Sequence, residues 1–81
     1  MSVMVYALST CPYCKMTKKF LTEHDVAYDS VDVDQLEGEE RESTIAKVRE
    51  LSGGTSFPVL DVDGQVVVGF DKSRMSKLLS L

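Results

Sequence analysis

Residues 4–8, M-V-Y-A-L, run apolar without a break and then stop at Ser9-Thr10. A short continuous run of this kind suits a strand buried on both faces at the centre of a sheet. Its position constrains everything after it, because a central strand needs partners on both edges and helices to cover it. Pro12 follows closely and fits the first position of a helix, where its missing N–H costs nothing. That helix is predicted to run to about Glu23, with His24-Asp25 ending it. Residues 27–33 (A-Y-D-S-V-D-V) alternate and predict a second strand.

The second half reads as clearly. Asp34 and Glu37 fit a capping box for a second helix, or else Gly38 breaks the chain and the helix begins at about Glu39. Ile45, Val48 and Leu51 give that helix one apolar stripe, and Gly53-Gly54 stop it. Asp63-Gly64 between the apolar runs Val59–Val62 and Gln65–Val68 is a strong hairpin signal. Met75, Leu78 and Leu79 place a last short helix over residues 72–79. The order is β-α-β-α-β-β-α. The first two strands should be parallel with a right-handed crossover, and the hairpin adds antiparallel strands. The expected architecture is α/β, a mixed four-stranded sheet flanked by helices, in a single domain over residues 1–81.

Composition excludes several functions. The net charge of −4 is uneven: residues 23–42 hold nine acids and Arg41, whereas residues 11–22 hold Lys15, Lys18 and Lys19 and no acid. An acidic chain without an arginine stripe argues against nucleic acid. No stretch approaches the ~20 apolar residues of a membrane span, and residues 3–8 are too short and lack the basic flank of a signal peptide. The expectation is a soluble, cytoplasmic protein, and nothing demands more than a monomer.

The chemistry sits in S-T-C-P-Y-C-K, where Cys11 and Cys14 are the only cysteines. On a wheel of about 100° per residue, Met16, Thr17, Phe20 and Leu21 define the buried arc of the first helix and Cys14 lies at its edge. Cys11 falls about 60° further round, at the open helix end. Cys11 should therefore be exposed and Cys14 sheltered. The thiolate, not the thiol, attacks disulfides, and a helix N-terminus favours it. The dipole supplies ~0.3–1 kcal/mol, with further help expected from backbone N–H groups and from Lys15 leaning back. This makes Cys11 the nucleophile. Cys14, one turn on, can attack a mixed disulfide at Cys11 and release the substrate. A structural staple across so short a loop is a poor alternative.

Zinc needs four ligands, and two cysteines with His24 do not supply them; no metal is expected. His24 is read as a favourable group near a helix C-terminus. Tyr6 and Phe20 are expected in the core, as are Met16, Met75 and residues 66–68. Tyr13 either contacts substrate or half-packs on the helix end. Phe70 is either a partner-docking residue or core.

A C-x-x-C that follows a buried strand, opens a helix and precedes a proline 44 residues later, ahead of a hairpin, resembles the glutaredoxin branch of the thioredoxin superfamily. C-P-Y-C is the dithiol glutaredoxin signature, and the likeness covers nearly the whole chain. It implies a thioredoxin-like three-layer fold and a thiol–disulfide oxidoreductase that reduces protein disulfides or glutathione mixed disulfides. It implies a cis bond at Pro58 facing Cys11 and Cys14, and substrate contacts from Pro12, Tyr13, Phe57 and Pro58. Glutathione is then the cosubstrate, with no bound cofactor.

The chain departs from that pattern in three places. Leu8-Ser9-Thr10 stands where a basic residue is usual, Ser56-Phe57-Pro58 replaces Thr-Val-Pro, and Gly69-Phe70-Asp71-Lys72 replaces a Gly-Gly and acidic pair. Gly69 keeps its place as a glutathione contact, and Asp71 either substitutes for the acid or caps the last helix. The Gly-Phe pair resembles redoxins that serve ribonucleotide reductase and draw electrons from thioredoxin reductase. An iron–sulfur carrier, with Cys11 and added glutathione as ligands, is a third and weaker reading.

Overall fold

The computed structural model describes residues 2–54 and 56–81. The elements are β1 (Val3–Ala7), α1 (Pro12–Glu23), β2 (Asp29–Asp32), a single 3-10 turn (Val33–Gln35), α2 (Gly38–Ser52), β3 (Val59–Val62), β4 (Gln65–Val68) and α3 (Lys72–Leu78). The strand order is β2-β1-β3-β4. The fold is thioredoxin-like, and the expected β-α-β-α-β-β-α order holds.

β1 is central because its side chains are apolar on both faces. It pairs in parallel with β2, Ala7 against Asp32, and antiparallel with β3, Val5 against Leu60. On one face Val3, Val5, Ala7, Leu60, Val62 and Val67 pack with Cys14, Phe20 and Leu21 of α1 and with Met75 and Leu79 at α3. The other face is thinner: Tyr6 and Val59 meet Val48 of α2, with Met4, Val31, Leu51 and Val66 half-buried around them. These are the three layers. β2 runs along the sheet edge, and its D-S-V-D sequence has no fully buried residue, as an edge strand tolerates.

Turn chemistry closes the elements. Asp63 and Gly64 have φ of 51° and 90°, the two positive values that a type I′ hairpin requires. Gly53 ends α2 in the left-handed conformation and donates its N–H to the Arg49 carbonyl at 2.8 Å.

Several local expectations are corrected. β2 is shorter than residues 27–33, because Val33 turns into the 3-10 segment and is buried there. No capping box forms: Glu37 precedes α2 without a side-chain cap, and Asp34 is engaged elsewhere. Only Val48 of the predicted stripe is fully buried; Ile45 and Leu51 are half-buried. Met16 and Val68 lie in the open, each 44% exposed, rather than in the core.

Candidate active site

β1 delivers the chain at its C-terminal end into a tight loop, where the Leu8 carbonyl accepts the Cys11 N–H at 3.2 Å. Cys11 is the N-cap of α1 with extended backbone (φ −83°, ψ 117°), and Pro12 opens the helix. A capping residue normally offers an oxygen to the free N–H groups of the first turn. Here the acceptor is sulfur: the Cys14 N–H donates to Cys11 Sγ at 3.4 Å. An acceptor that gains negative charge in this position is favoured by the helix dipole as well.

The two thiols occupy different environments. Cys11 is partly open, and Cys14 is 1% exposed inside the α1 side of the core. Desolvation works against ionisation of Cys11, but hydrogen bonds from the Cys14 thiol and from the N–H groups of Cys14 and Tyr13 outweigh it and hold its pKa below the ordinary value. Cys14 goes the other way. Burial, reinforced by the thiol–thiol hydrogen bond, pushes it up to about 11, against a smaller opposing effect of the Leu8 N–H, which donates to Cys14 Sγ at 3.5 Å. One sulfur is therefore easier to ionise than an ordinary cysteine and its neighbour is harder.

The rest of the site comes from β3 and the loop after β4. The Phe57–Pro58 bond is cis, and Pro58 is buried. The Gly69 N–H donates to the Pro58 carbonyl at 2.8 Å, tying the β4–α3 loop to this turn. Cys11, Phe57 and Phe70 pack against the same apolar cluster that contains Cys14. Phe70 meets Phe20 edge-on, with ring centroids 6.3 Å apart, and Lys72 Nζ sits 5.9 Å above it. Tyr13 projects beside Cys11 and is 60% exposed. Asp71 takes the capping role: its carboxylate accepts the Arg74 N–H at 3.1 Å. Met16, Phe20 and Phe70 with Lys19 and Lys72 line a shallow groove of about 180 Å³ on the flank. A wider depression of about 450 Å³, lined by Gln65, Arg74, Lys77 and Leu78, includes none of these site residues.

Lys15 does not act as expected. It is exposed, and every group that lowers the Cys11 pKa is a hydrogen-bond donor within residues 11–14. His24 caps the C-terminal end of α1, its Nδ1 2.9 Å from the Phe20 carbonyl, a contact that requires the hydrogen on Nδ1.

Two contacts were not legible in the sequence. Lys18, one turn beyond Cys14, pairs with Asp32 of β2 at 3.0 Å. Asp34 accepts both the N–H of Ser9 (2.8 Å) and its hydroxyl, while Gln35 Nε2 donates to that hydroxyl at 3.1 Å. The Ser9–Asp34 contact joins residues 25 positions apart, and the only available signal, a carboxylate near a helix start, pointed to a cap instead. No cluster of three or more metal-ligating side chains occurs among the described residues, and no helix is long and apolar enough to cross a membrane.

A helix-capping thiol with a buried thiol one turn on, set at the end of the central strand of a mixed four-stranded sheet flanked by helices, marks a redox protein of the thioredoxin-like class. The particular family follows from comparison. The family model described as Glutaredoxin matches residues 3–67, and the chain belongs to the glutaredoxin family. It is 37% identical over 79 residues to an uncharacterized glutaredoxin-like 8.6 kDa protein in the rubredoxin operon of Clostridium pasteurianum, covering 95% of this chain and 96% of that one. It is 37% identical over 76 residues to the glutaredoxin-like protein NrdH of Lactococcus lactis subsp. lactis, covering 94% and 97% of the two chains. Among solved structures, the glutaredoxin grx-1 of Archaeoglobus fulgidus superposes with a TM-score of 0.93 at 40% identity, over 96% of this chain and 85% of that one. Methanosarcina acetivorans methanoredoxin gives 0.94 at 36% identity, over 99% and 85%.

Proposed function

We propose that the protein is a glutaredoxin-type thiol–disulfide oxidoreductase that reduces protein disulfides or glutathione mixed disulfides, with Cys11 as nucleophile and Cys14 as resolving thiol. The observation that carries this reading is the inequality of the two thiols: Cys11, partly open, caps α1 and accepts the Cys14 N–H, whereas Cys14 is buried one turn on, and their pKa values are displaced in opposite directions accordingly. Cys11 is the more readily ionised and the more open of the two, so the first attack is assigned to it.

The Cys11 thiolate attacks one sulfur of a substrate disulfide. A Cys11–substrate disulfide forms, and the second substrate sulfur leaves as a thiolate that takes a proton from water. Cys14 then loses its proton to solvent and attacks Cys11 Sγ; the Cys11–Cys14 bond forms, the Cys11–substrate bond breaks, and the remaining substrate sulfur departs as a thiolate that takes a proton from solvent. Two electrons pass from the dithiol to the substrate. A mixed disulfide with glutathione needs only the first step, because a second glutathione thiol can resolve it. The exposed ring of Tyr13 flanks an approaching chain, and the cis turn at Pro58 presents the Phe57 backbone for strand-like pairing with an extended peptide. The potential expected for such a site is roughly −200 to −230 mV.

A second reading keeps this chemistry and changes the electron source to thioredoxin reductase, making the chain a donor to an enzyme such as ribonucleotide reductase. Two observations favour it: the likeness to NrdH, and the engagement of Asp71 as a helix cap instead of a free acid. Side-by-side turnover with glutathione plus glutathione reductase and with thioredoxin reductase separates the two. Cys11→Ser should abolish activity in either system; full residual activity would remove the proposed nucleophile.

A further inference from the structure

Ser9, Asp34 and Gln35 lie outside the dithiol, yet they are bonded to the loop that touches both cysteines. The peptide unit between Leu8 and Ser9 is gripped at both poles: its carbonyl accepts the Cys11 N–H at 3.2 Å, and its N–H donates to Asp34 at 2.8 Å. The Ser9 hydroxyl adds a second hydrogen bond to the same carboxylate, and Gln35 holds that hydroxyl from the other side. The preceding N–H, that of Leu8, points at Cys14 Sγ at 3.5 Å. The donors to Cys11, by contrast, belong to α1 itself, the Cys14 thiol and the N–H groups of Cys14 and Tyr13, and move with the helix.

From this arrangement we infer that Asp34 is a positioning residue for the resolving step: through Ser9 it holds the Leu8 N–H on Cys14 Sγ and so assists the half-reaction in which Cys14 carries negative charge. That charge arises twice. When Cys14 gives up its proton and attacks Cys11 Sγ, the anion forms on Cys14 before the Cys11–substrate bond breaks. When an external thiolate reduces the Cys11–Cys14 disulfide by attacking Cys11, Cys14 is the leaving thiolate. A fixed N–H donor favours both events. The first attack, by Cys11, draws its stabilisation from donors in α1 and leans less on the loop, whose Leu8 carbonyl accepts the Cys11 backbone N–H and does not touch its sulfur.

This rests on the thiol–disulfide reading, and the test separates the two. Asp34→Ala is compared with wild type in insulin reduction, which needs both thiols, and in a Cys14→Ser background for reduction of a glutathione mixed disulfide, which needs Cys11 alone. Loosening one hydrogen bond to a developing anion should slow the dithiol reaction about three- to tenfold. The monothiol reaction and the pH midpoint of Cys11 alkylation should stay at their control values. Asp34→Asn, which keeps one acceptor for Ser9, should recover part of the loss. A double-mutant cycle with Ser9→Ala should be non-additive. Equal slowing of both reactions, or of neither, overturns the inference. If Asp34→Ala fails to fold, Ser9→Ala, which removes the hydroxyl tie and keeps the N–H one, should give the same selective slowing at smaller size. A wild-type protein inactive in both assays would instead defeat the reading of the dithiol.

Discussion

Gly69→Ala tests how the turn at Pro58 is held. Gly69 has φ of 82°, and its N–H donates to the Pro58 carbonyl at 2.8 Å. A Cβ built there meets nothing within 4 Å, so collision contributes nothing. What remains is the backbone: a left-handed conformation costs an L-residue about 1–2 kcal/mol. In a domain of this size each kcal/mol lowers Tm by about 4–8 °C, so the expected loss is about 4–16 °C. Gly64→Ala is the matched control, with φ of 90°, equally open surroundings and a place in the hairpin at the end of the sheet away from the cysteines. Both variants should melt early by circular dichroism. Only Gly69→Ala should also slow insulin reduction at 25 °C, by about two- to tenfold for a weakened backbone hydrogen bond. Gly69→Asn, which tolerates positive φ, should lie between. If Gly69→Ala melted with wild type, the conformational cost would be wrong. If Gly64→Ala lost as much activity, the effect would be general destabilisation and not the tie to Pro58.

Other outcomes follow from the same geometry. Cys14→Ser should retain reduction of glutathione mixed disulfides and lose dithiol reduction of insulin; equal loss of both would contradict a resolving role. Met75→Ala empties a fully buried site beneath α3 and should cost about 2–5 kcal/mol in urea unfolding, because a seven-residue helix has little else to hold it. The Asp34 carboxylate is held below its ordinary pKa chiefly by the Ser9 hydroxyl, then by the Ser9 N–H. A depressed folded value means this contribution is complete above the unfolded value of roughly 4 and is lost as pH falls through the folded one. Asp34→Ala should therefore flatten the acid limb of the melting profile below about pH 4. The reduced protein should lose stability from pH 9.0 towards about 11, because buried Cys14 resists the ionisation that the unfolded chain undergoes. Cys14→Ala should remove that loss.

Much of the architecture was legible because it rests on local signals. The apolar run of β1, Pro12 at the start of α1 and Asp63-Gly64 in the hairpin each specify their own geometry, and the helical wheel of α1 already separated Cys14 from Cys11. What escaped was tertiary. Asp34 looked like a cap because a carboxylate near a helix start has a good local use, yet Ser9, 25 residues earlier, offers it two donors. Lys15 looked like an electrostatic partner by proximity in sequence, but the hydrogen-bond donors of residues 11–14 satisfy Cys11 without it. The wheel puts Met16 at the far end of the buried arc and the apolar run puts Val68 in a strand, and only packing shows that one faces the groove beside Phe70 and the other lies on the open side of an edge strand. Ile45 missed full burial for a related reason: the α2 face of the sheet is covered thinly, and Val48 alone of that helix is fully enclosed.

The central claim is that donors in the first turn of α1 hold the Cys11 thiol below the ordinary cysteine pKa. Its most direct measurement is the rate of iodoacetamide alkylation of the reduced Cys14→Ala protein as a function of pH, alongside wild type. In wild type the midpoint should lie below that of a cysteine in an unstructured peptide, roughly 8.5. In Cys14→Ala it should move upwards, since the thiol donor is gone. A wild-type midpoint at or above the peptide value would contradict the assignment of Cys11 as the prepared nucleophile.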